Sequence, residues 1–325
     1  MTIRTSPWRA AVAAVLTAAS GAVLVPAAAQ AAAPQVKTQA PGYYRMMLGD
    51  FEVTALSDGT VELPMDKLLT NIKPGQLDKA LAHAHLKTPV ESSVNAYLIN
   101  TGSKLVLVDT GAGGLFGPTL GKLIANLKAA GYQPEQIDAV LITHLHPDHI
   151  GGLTAGDKRA FPNATVHVAK ADADFWLSAD NMKKAPAEAQ SMFQQATAML
   201  TPYTTADKLK TFESDTELVP GIKSIATPGH TPGHSIYAVE SKGQKLVLWG
   251  DLMHLAAVQF PDPSVTIQFD TDSKAAAAQR KKAYAESAKQ GYWVGVAHVS
   301  FPGIGHVDAA GKGYEYVPAN YSTKF

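Results

Sequence analysis

The 325-residue sequence contains no cysteine. Disulfides, thiolate metal ligands and a cysteine nucleophile are therefore excluded, and any bound metal must be held by histidine and carboxylates. Net charge is also lacking: 28 Lys and Arg offset 28 Asp and Glu, and no Lys/Arg cluster stands out. That removes the electrostatic footprint of a nucleic-acid binder, or of a protein drawn to anionic lipid. There is no GxSxG, so no nucleophile elbow is encoded. Low-complexity inserts, short-period repeats and long linkers are absent as well. Apolar residues make up 46% against 17% charged, the balance of a globular chain long enough for one large domain or two small ones.

Only the N-terminus approaches a membrane-length apolar run. In MTIRTSPWRAAVAAVLTAASGAVLVPAAAQAAAP, Arg4 and Arg9 precede an Ala/Val/Leu run from Ala10 to Val25, and a small-residue exit follows at Ala29-Gln30-Ala31. This is the layout of a secretory signal peptide over residues 1–31, cleaved near Ala31. A membrane anchor, the competing reading, would need a longer and more apolar run. The lack of an Arg-Arg pair favours general export over the twin-arginine route. Residues 32–325 are then expected to be exported, periplasmic or secreted, and free of the membrane.

Apolar spacing predicts strands over Tyr43–Leu56 with a turn at Gly49-Asp50, and a hairpin from Ser93–Asn100 and Leu105–Val108. A helix is expected over Thr119–Ala130, closed by Gly131, and a strand over Ile137–Thr143. Further strands are expected at Thr165–Ala169, Ile222–Ala226, Ser235–Val239, Leu246–Trp249 and Tyr292–Ala297. Helices are expected at Ala171–Leu177, Ala185–Leu200 and Ala275–Lys289. The alternation fits one α/β domain, two sheets between helices.

The chemistry concentrates in THLHPDHIGG, residues 143–152, where His144, His146, Asp148 and His149 fall within six positions. In extended backbone, residues two apart share a face, so His144 and His146 can converge on one ion. A turn at Pro147 re-aims Asp148 and His149 beside them. Four ligands cannot complete two coordination spheres, so distant partners are required. Three appear, each beyond an apolar strand: His230 in ATPGHTPGH, Asp251 in LVLWGD and His298 in GVAH. His234 competes with His230, and His306 with His298. Asp109 also ends a strand, either orienting a ligand histidine or capping a turn. His83, His85 and His167 have no such company.

Together THLHPDH, TPGHTPGH, GD and the late strand-end histidine resemble the metallo-β-lactamase superfamily. Within it the chain is similar to methyl parathion hydrolase and its lactonase relatives, through APGYYRMMLGDFEVTALSDGTV, LVDTGAGGLFGPTLGKL, AAVQFPDPSV and SFPGIGHVDAAGKGY. The resemblance implies a four-layer αββα fold and a binuclear centre. In it, His144, His146 and His230 would hold one ion and Asp148, His149 and His298 the other, with Asp251 bridging. The imidazole and carboxylate set suits Zn2+, with Co2+, Mn2+ or Fe2+ as alternatives. A homodimer is implied by the relatives alone.

The expected reaction is hydrolysis by a hydroxide bridging the two ions, with Asp251 holding the bridging oxygen and shuttling its proton. The resemblance places Phe116, Trp176 and Phe193 at an aromatic pocket mouth; without it, Phe175, Trp176 and Phe193 read as helix core. His254, Ile267 and Phe269 depart from the smaller or more apolar residues of methyl parathion hydrolase. These larger groups favour a flat aromatic lactone or aryl ester of the dihydrocoumarin type, leaving phosphotriester hydrolysis as a weak side activity. His254 is also a candidate acid for the leaving group. The alternatives are an organophosphate triesterase, a β-lactamase, a glyoxalase-II-like thioesterase lacking its basic patch, and an exported metal-binding protein without turnover.

Overall fold

The computed structural model describes residues 1–2, 33–213 and 215–324. Residues 39–325 form one compact unit and residues 1–38 a separate one. The signal-peptide expectation lies outside the described residues but for the first two. Among the described residues, no helix is long and apolar enough to cross a membrane.

Two seven-stranded sheets make up the compact unit. The first runs in space as Tyr43–Leu48, Phe51–Leu63, Val90–Asn100, Leu105–Val108, Ala139–Leu141, Thr165–Ala169 and Leu209–Phe212. The second runs as Glu217–Val219, Ile222–Ala226, Ser235–Ser241, Gln244–Leu248, Trp293–Gly295, Ile304–Ala310 and Gly313–Pro318. Strands joined by tight turns pair antiparallel. Gln244–Leu248 and Trp293–Gly295, joined through the helix Ser273–Gln290, pair parallel, as do Leu105–Val108 and Ala139–Leu141.

Alternation along the strands sorts the layers. Tyr97, Ile99, Val106 and Val108 face Tyr237, Val239, Leu246 and Leu248 in the core between the sheets. Their neighbours Ala96, Leu98, Leu105 and Leu107 turn outward, under Leu123 and Leu127 of the helix Leu123–Ala129 and Phe193 and Leu200 of the helix Ala187–Thr205. On the far side Ile236, Ala238 and Val247 pack under Ala283 and Tyr284 of the helix Ser273–Gln290. Both faces of both sheets are covered, so their strands read as nearly continuous apolar runs. The order is helix, sheet, sheet, helix.

Three elements are shorter than their periodicity suggests: the strand expected over Tyr292–Ala297 spans Trp293–Gly295, and the other two are cut back for side-chain reasons. The helix expected from Thr119 begins at Leu123, because Asp58 accepts the N–H groups of Gly121 and Leu123 and Gly121 has φ +76°. The strand expected over Ile137–Thr143 ends at Leu141, because the Thr143 N–H leaves the ladder for the Asp109 carboxylate at 2.8 Å. That early exit frees the histidine segment.

Candidate metal centre

All seven expected ligands lie past strand ends on one rim, where side chains clear the sheet. His144 and His146 follow Ala139–Leu141 in irregular chain. Pro147 then opens the one-turn helix Pro147–Ile150, which carries Asp148 and His149. His230 follows Ile222–Ala226, and His298 follows Trp293–Gly295. Asp251 follows Gln244–Leu248 through Gly250, whose φ is +52° and where a Cβ would come within 2.8 Å of the Thr143 Cβ. A residue with a side chain would push the Asp251 strand end away from the histidine segment.

The Asp251 carboxylate stands between two groups of donors. Its Oδ2 is 3.3 Å from His230 Nε2 and 3.6 Å from His144 Nε2. Its Oδ1 is 3.0 Å from His149 Nε2 and 3.1 Å from His298 Nε2. His146 turns its Nδ1 to 2.9 Å from His230 Nε2, and Asp148 Oδ2 is 3.5 Å from His298 Nε2. Among the described residues, His144, His146, His230 and Asp251 bring donor atoms within 4.8 Å of one another, as do Asp148, His149 and His298.

This donor set fits two divalent cations. The Nε2 atoms of His144 and His149 and the Oδ1 of Asp251 are buried with no hydrogen-bond partner among the described residues, a costly state unless a ligand satisfies them. Charge agrees. Burial alone would raise the Asp251 carboxyl, yet His149, His298 and His144 around it hold it well below the usual range. Burial opposes protonation of His149 too, but Asp251, Asp148 and Asp109 raise it well above an ordinary imidazole. His230 is likewise held up to about 9 against burial, by Asp251 and Asp270. The carboxylates demand positive charge at this spot, and bound cations would supply it without protonating the imidazoles.

Most ligand rings are fixed from behind. Asp109 Oδ2 is 2.8 Å from His149 Nδ1 and accepts the Thr143 hydroxyl at 2.8 Å, while Thr143 Oγ1 lies 3.0 Å from His144 Nδ1. Asp109 does this from a left-handed backbone, φ +61°, a strained conformation that its side-chain bonds hold in place. His230 Nδ1 pairs with Asp270 Oδ1 at 2.9 Å, and His298 Nδ1 donates to the Ser93 carbonyl at 2.9 Å. His234 has no nitrogen to spare: Nδ1 meets Thr227 Oγ1 at 2.8 Å and Nε2 accepts the Asp251 N–H at 3.0 Å. His306 packs on Trp293 with its Nδ1 toward the Tyr292 carbonyl.

Sequence reasoning missed Asp270, Asp172 and Arg280, which have no motif. Fully buried Asp172 accepts from Leu145 N–H at 3.0 Å, Thr231 Oγ1 at 3.0 Å and Gly233 N–H at 2.6 Å. It therefore ties the His144–His149 segment to the His230 loop. Burial pushes its carboxyl up to about 6, with those donors pulling the other way. Asp172→Ala would strand the donors from both segments, and an urea denaturation series is expected to register about 2–4 kcal/mol of lost stability. Arg280, also buried, donates to the carbonyls of Leu252 and Val265 and braces the loop after Asp251.

A cleft opens over the centre. His146, Asp148, Asp251, His254 and His298 line its base, under the apolar Val61, Leu63, Phe116, Leu120, Met192 and Phe269. Phe116 is 45% exposed. Three of the expected pocket residues are elsewhere. Trp176 (4% exposed) and Phe193 (3%) pack against each other, rings tilted at 48°, in the core beneath the first sheet's outer helices, and Trp176 meets His146 edge-on. Ile267 is fully buried in the cluster formed with Leu69 and Val258. For Trp176 and Phe193, the reading without the resemblance is helix core. Met192, one residue before Phe193, reaches the cleft instead.

Residues 89–303 match the metallo-β-lactamase superfamily. The chain belongs to that superfamily. Its members are metal-dependent hydrolases, and the matched region contains the whole ligand set. Among solved structures, hydrolase AbOPH of the β-lactamase superfamily is 39% identical with a TM-score of 0.84, over 88% of this chain and 100% of that one. AidC, a dizinc quorum-quenching lactonase in complex with the product N-hexanoyl-L-homoserine, is 28% identical with a TM-score of 0.81, over 87% and 99%. An N-acyl homoserine lactonase of Bacillus cereus is 27% identical over 205 residues, 57% of this chain and 74% of that protein. The metallo-β-lactamase relatives thus include lactonases, one of them a dizinc enzyme.

Proposed function

We propose that this metallo-hydrolase is a lactonase with arylesterase capacity, acting on a lactone that presents a flat apolar face, of the dihydrocoumarin type. The observation that carries the reading is the division of the cleft into an apolar wall with two aromatic rings, Phe116 and Phe269, above a carboxylate and imidazole base. An aromatic or otherwise planar lactone buries its ring against that wall while its ester group meets the base. The lactonase relatives support the same reaction class.

His144, His146 and His230 would hold one cation, Asp148, His149 and His298 a second, and Asp251 both. When bound, two such ions supply Lewis acidity to an ester carbonyl and acidify water at neutral pH. Asp251 holds the proton released at its carboxylate, and the buried His254, 3.1 Å from Asp251 Oδ2, is placed to return it to the leaving oxygen. The resemblance to methyl parathion hydrolase supports a weak phosphotriesterase side activity. The leader-like residues 1–31 support export, which fractionation of producing cells would check.

The deciding experiment is a kcat/KM panel of dihydrocoumarin, a homoserine lactone, an aryl ester, methyl parathion and a β-lactam. Dihydrocoumarin or the aryl ester is expected to lead. A leading homoserine lactone would move the substrate class to acyl lactones, and a leading methyl parathion would make the enzyme a phosphotriesterase. His254→Leu widens the mouth and is expected to raise the methyl parathion to dihydrocoumarin ratio about tenfold.

A further inference from the structure

His254 sits where the two donor groups meet. Its ring stacks on His298, with centroids 5.3 Å apart at 17°, and lies 5.0 Å from the His230 ring on the other side. We propose that His254 is an additional, exchangeable metal ligand, able to coordinate a divalent cation together with Asp251 and His298; this rests on the two-ion reading of the centre.

Geometry carries the assignment. Donor atoms of Asp251, His254 and His298 lie within 4.8 Å of one another, the same spacing that defines the two main groups. Around a tetrahedral zinc with bonds of about 2.0–2.1 Å, two ligand atoms sit roughly 3.3 Å apart. His254 Nε2 is 3.1 Å from Asp251 Oδ2, whereas His230 and His144 are 3.3 and 3.6 Å from the same oxygen. That spacing suits a ligand atom beside the shared carboxylate, and without an ion it is the hydrogen bond between His254 and Asp251.

Its support differs from that of the other imidazoles. The backbone is pinned: Gln259 Oε1 accepts the N–H groups of His254 and Leu255 at 2.7 and 3.0 Å, and Gln259 is itself tied to the Val265 carbonyl. The ring is not. Its Nδ1 is buried with no partner among the described residues, whereas the Nδ1 atoms of His144, His149, His230 and His298 all meet an oxygen. A ligand lacking that rear hydrogen bond is the less basic and more easily displaced one. A ring fixed at its backbone and free at its tip, lining the cleft, can yield its position to an incoming ester oxygen.

The test is cobalt loading of the full-length protein, followed by calorimetry and by proton NMR of the hyperfine-shifted, exchangeable imidazole N–H signals. Without His254 the ligand histidines His144, His146, His149, His230 and His298 give five such signals; with it, the dicobalt protein gives six. His254→Leu, and His254→Gln as a second variant with a polar side chain, are expected to show five and to bind the weaker cobalt about tenfold less tightly. Two cobalt ions with five signals in the wild type would overturn the proposal alone and leave His254 a hydrogen-bond donor to Asp251. Uptake of a single cobalt would overturn the two-ion reading and the proposal with it. The wild-type count requires no variant to fold.

Discussion

Asp251→Asn is expected to lower kcat for every hydrolysed substrate by at least ~100-fold, with KM changing far less. The substitution is nearly isosteric, so the fold and the cleft are kept. It removes the one carboxylate whose two oxygens face different donor groups, Oδ1 toward His149 and His298 and Oδ2 toward His230 and His144. An amide offers one oxygen acceptor and sets an NH2 against the other group. It also removes the negative charge that faces the imidazoles of His144, His149, His230, His254 and His298. Steady-state kinetics with metal content measured alongside would check this. A variant with two ions bound and unchanged turnover would end the assignment of Asp251 as the shared, proton-carrying residue.

Exhaustive chelation is the second large effect. Removing the ions is expected to abolish hydrolysis and to lower thermal stability, because the buried Nε2 atoms of His144 and His149 and the Oδ1 of Asp251 lose their partners. If free metal stands about 100-fold above its dissociation constant, removal of one ion costs about 2.7 kcal/mol, or roughly 4–5 °C in Tm for a chain of this size. Scanning calorimetry with and without EDTA measures the shift, and zinc, cobalt or manganese should restore activity. Turnover indifferent to chelation would reject the metal-dependent mechanism for this protein.

Much of the site was readable because it is encoded locally. Four ligands fall within six residues, and the other three follow apolar strands, so the pattern of strand then ligand can be seen without coordinates. The pocket was less legible. Trp176 and Phe193 are large aromatics on helices, and nothing in their spacing distinguishes a residue facing a cleft from one facing a sheet. Their helix-core reading matched their burial, and the resemblance led away from it. Met192 occupies the cleft because the long helix Ala187–Thr205 turns that side over the base, a matter of packing angle. The helical segment Gln76–His83 and the hairpin Ile304–Ala310 with Gly313–Pro318 also escaped the periodicity reading, being short and polar on their outer faces.

By itself, then, the sequence determined the chemistry available: no thiolates, no serine elbow, five imidazoles and two carboxylates in a superfamily arrangement, on strands buried on both faces. Only the tertiary structure decided how that chemistry is held and approached. Asp172 reaches Thr231 across 59 residues and Leu145 across 27, and Asp270 backs His230 across a 40-residue separation. The donor atoms of His254 and Asp251 meet at 3.1 Å because the chain turns between them. Residue types and local spacing are properties of the chain in one dimension. Hydrogen bonds across such separations, and the face a helix turns to a cleft, follow from how the sheets and helices pack.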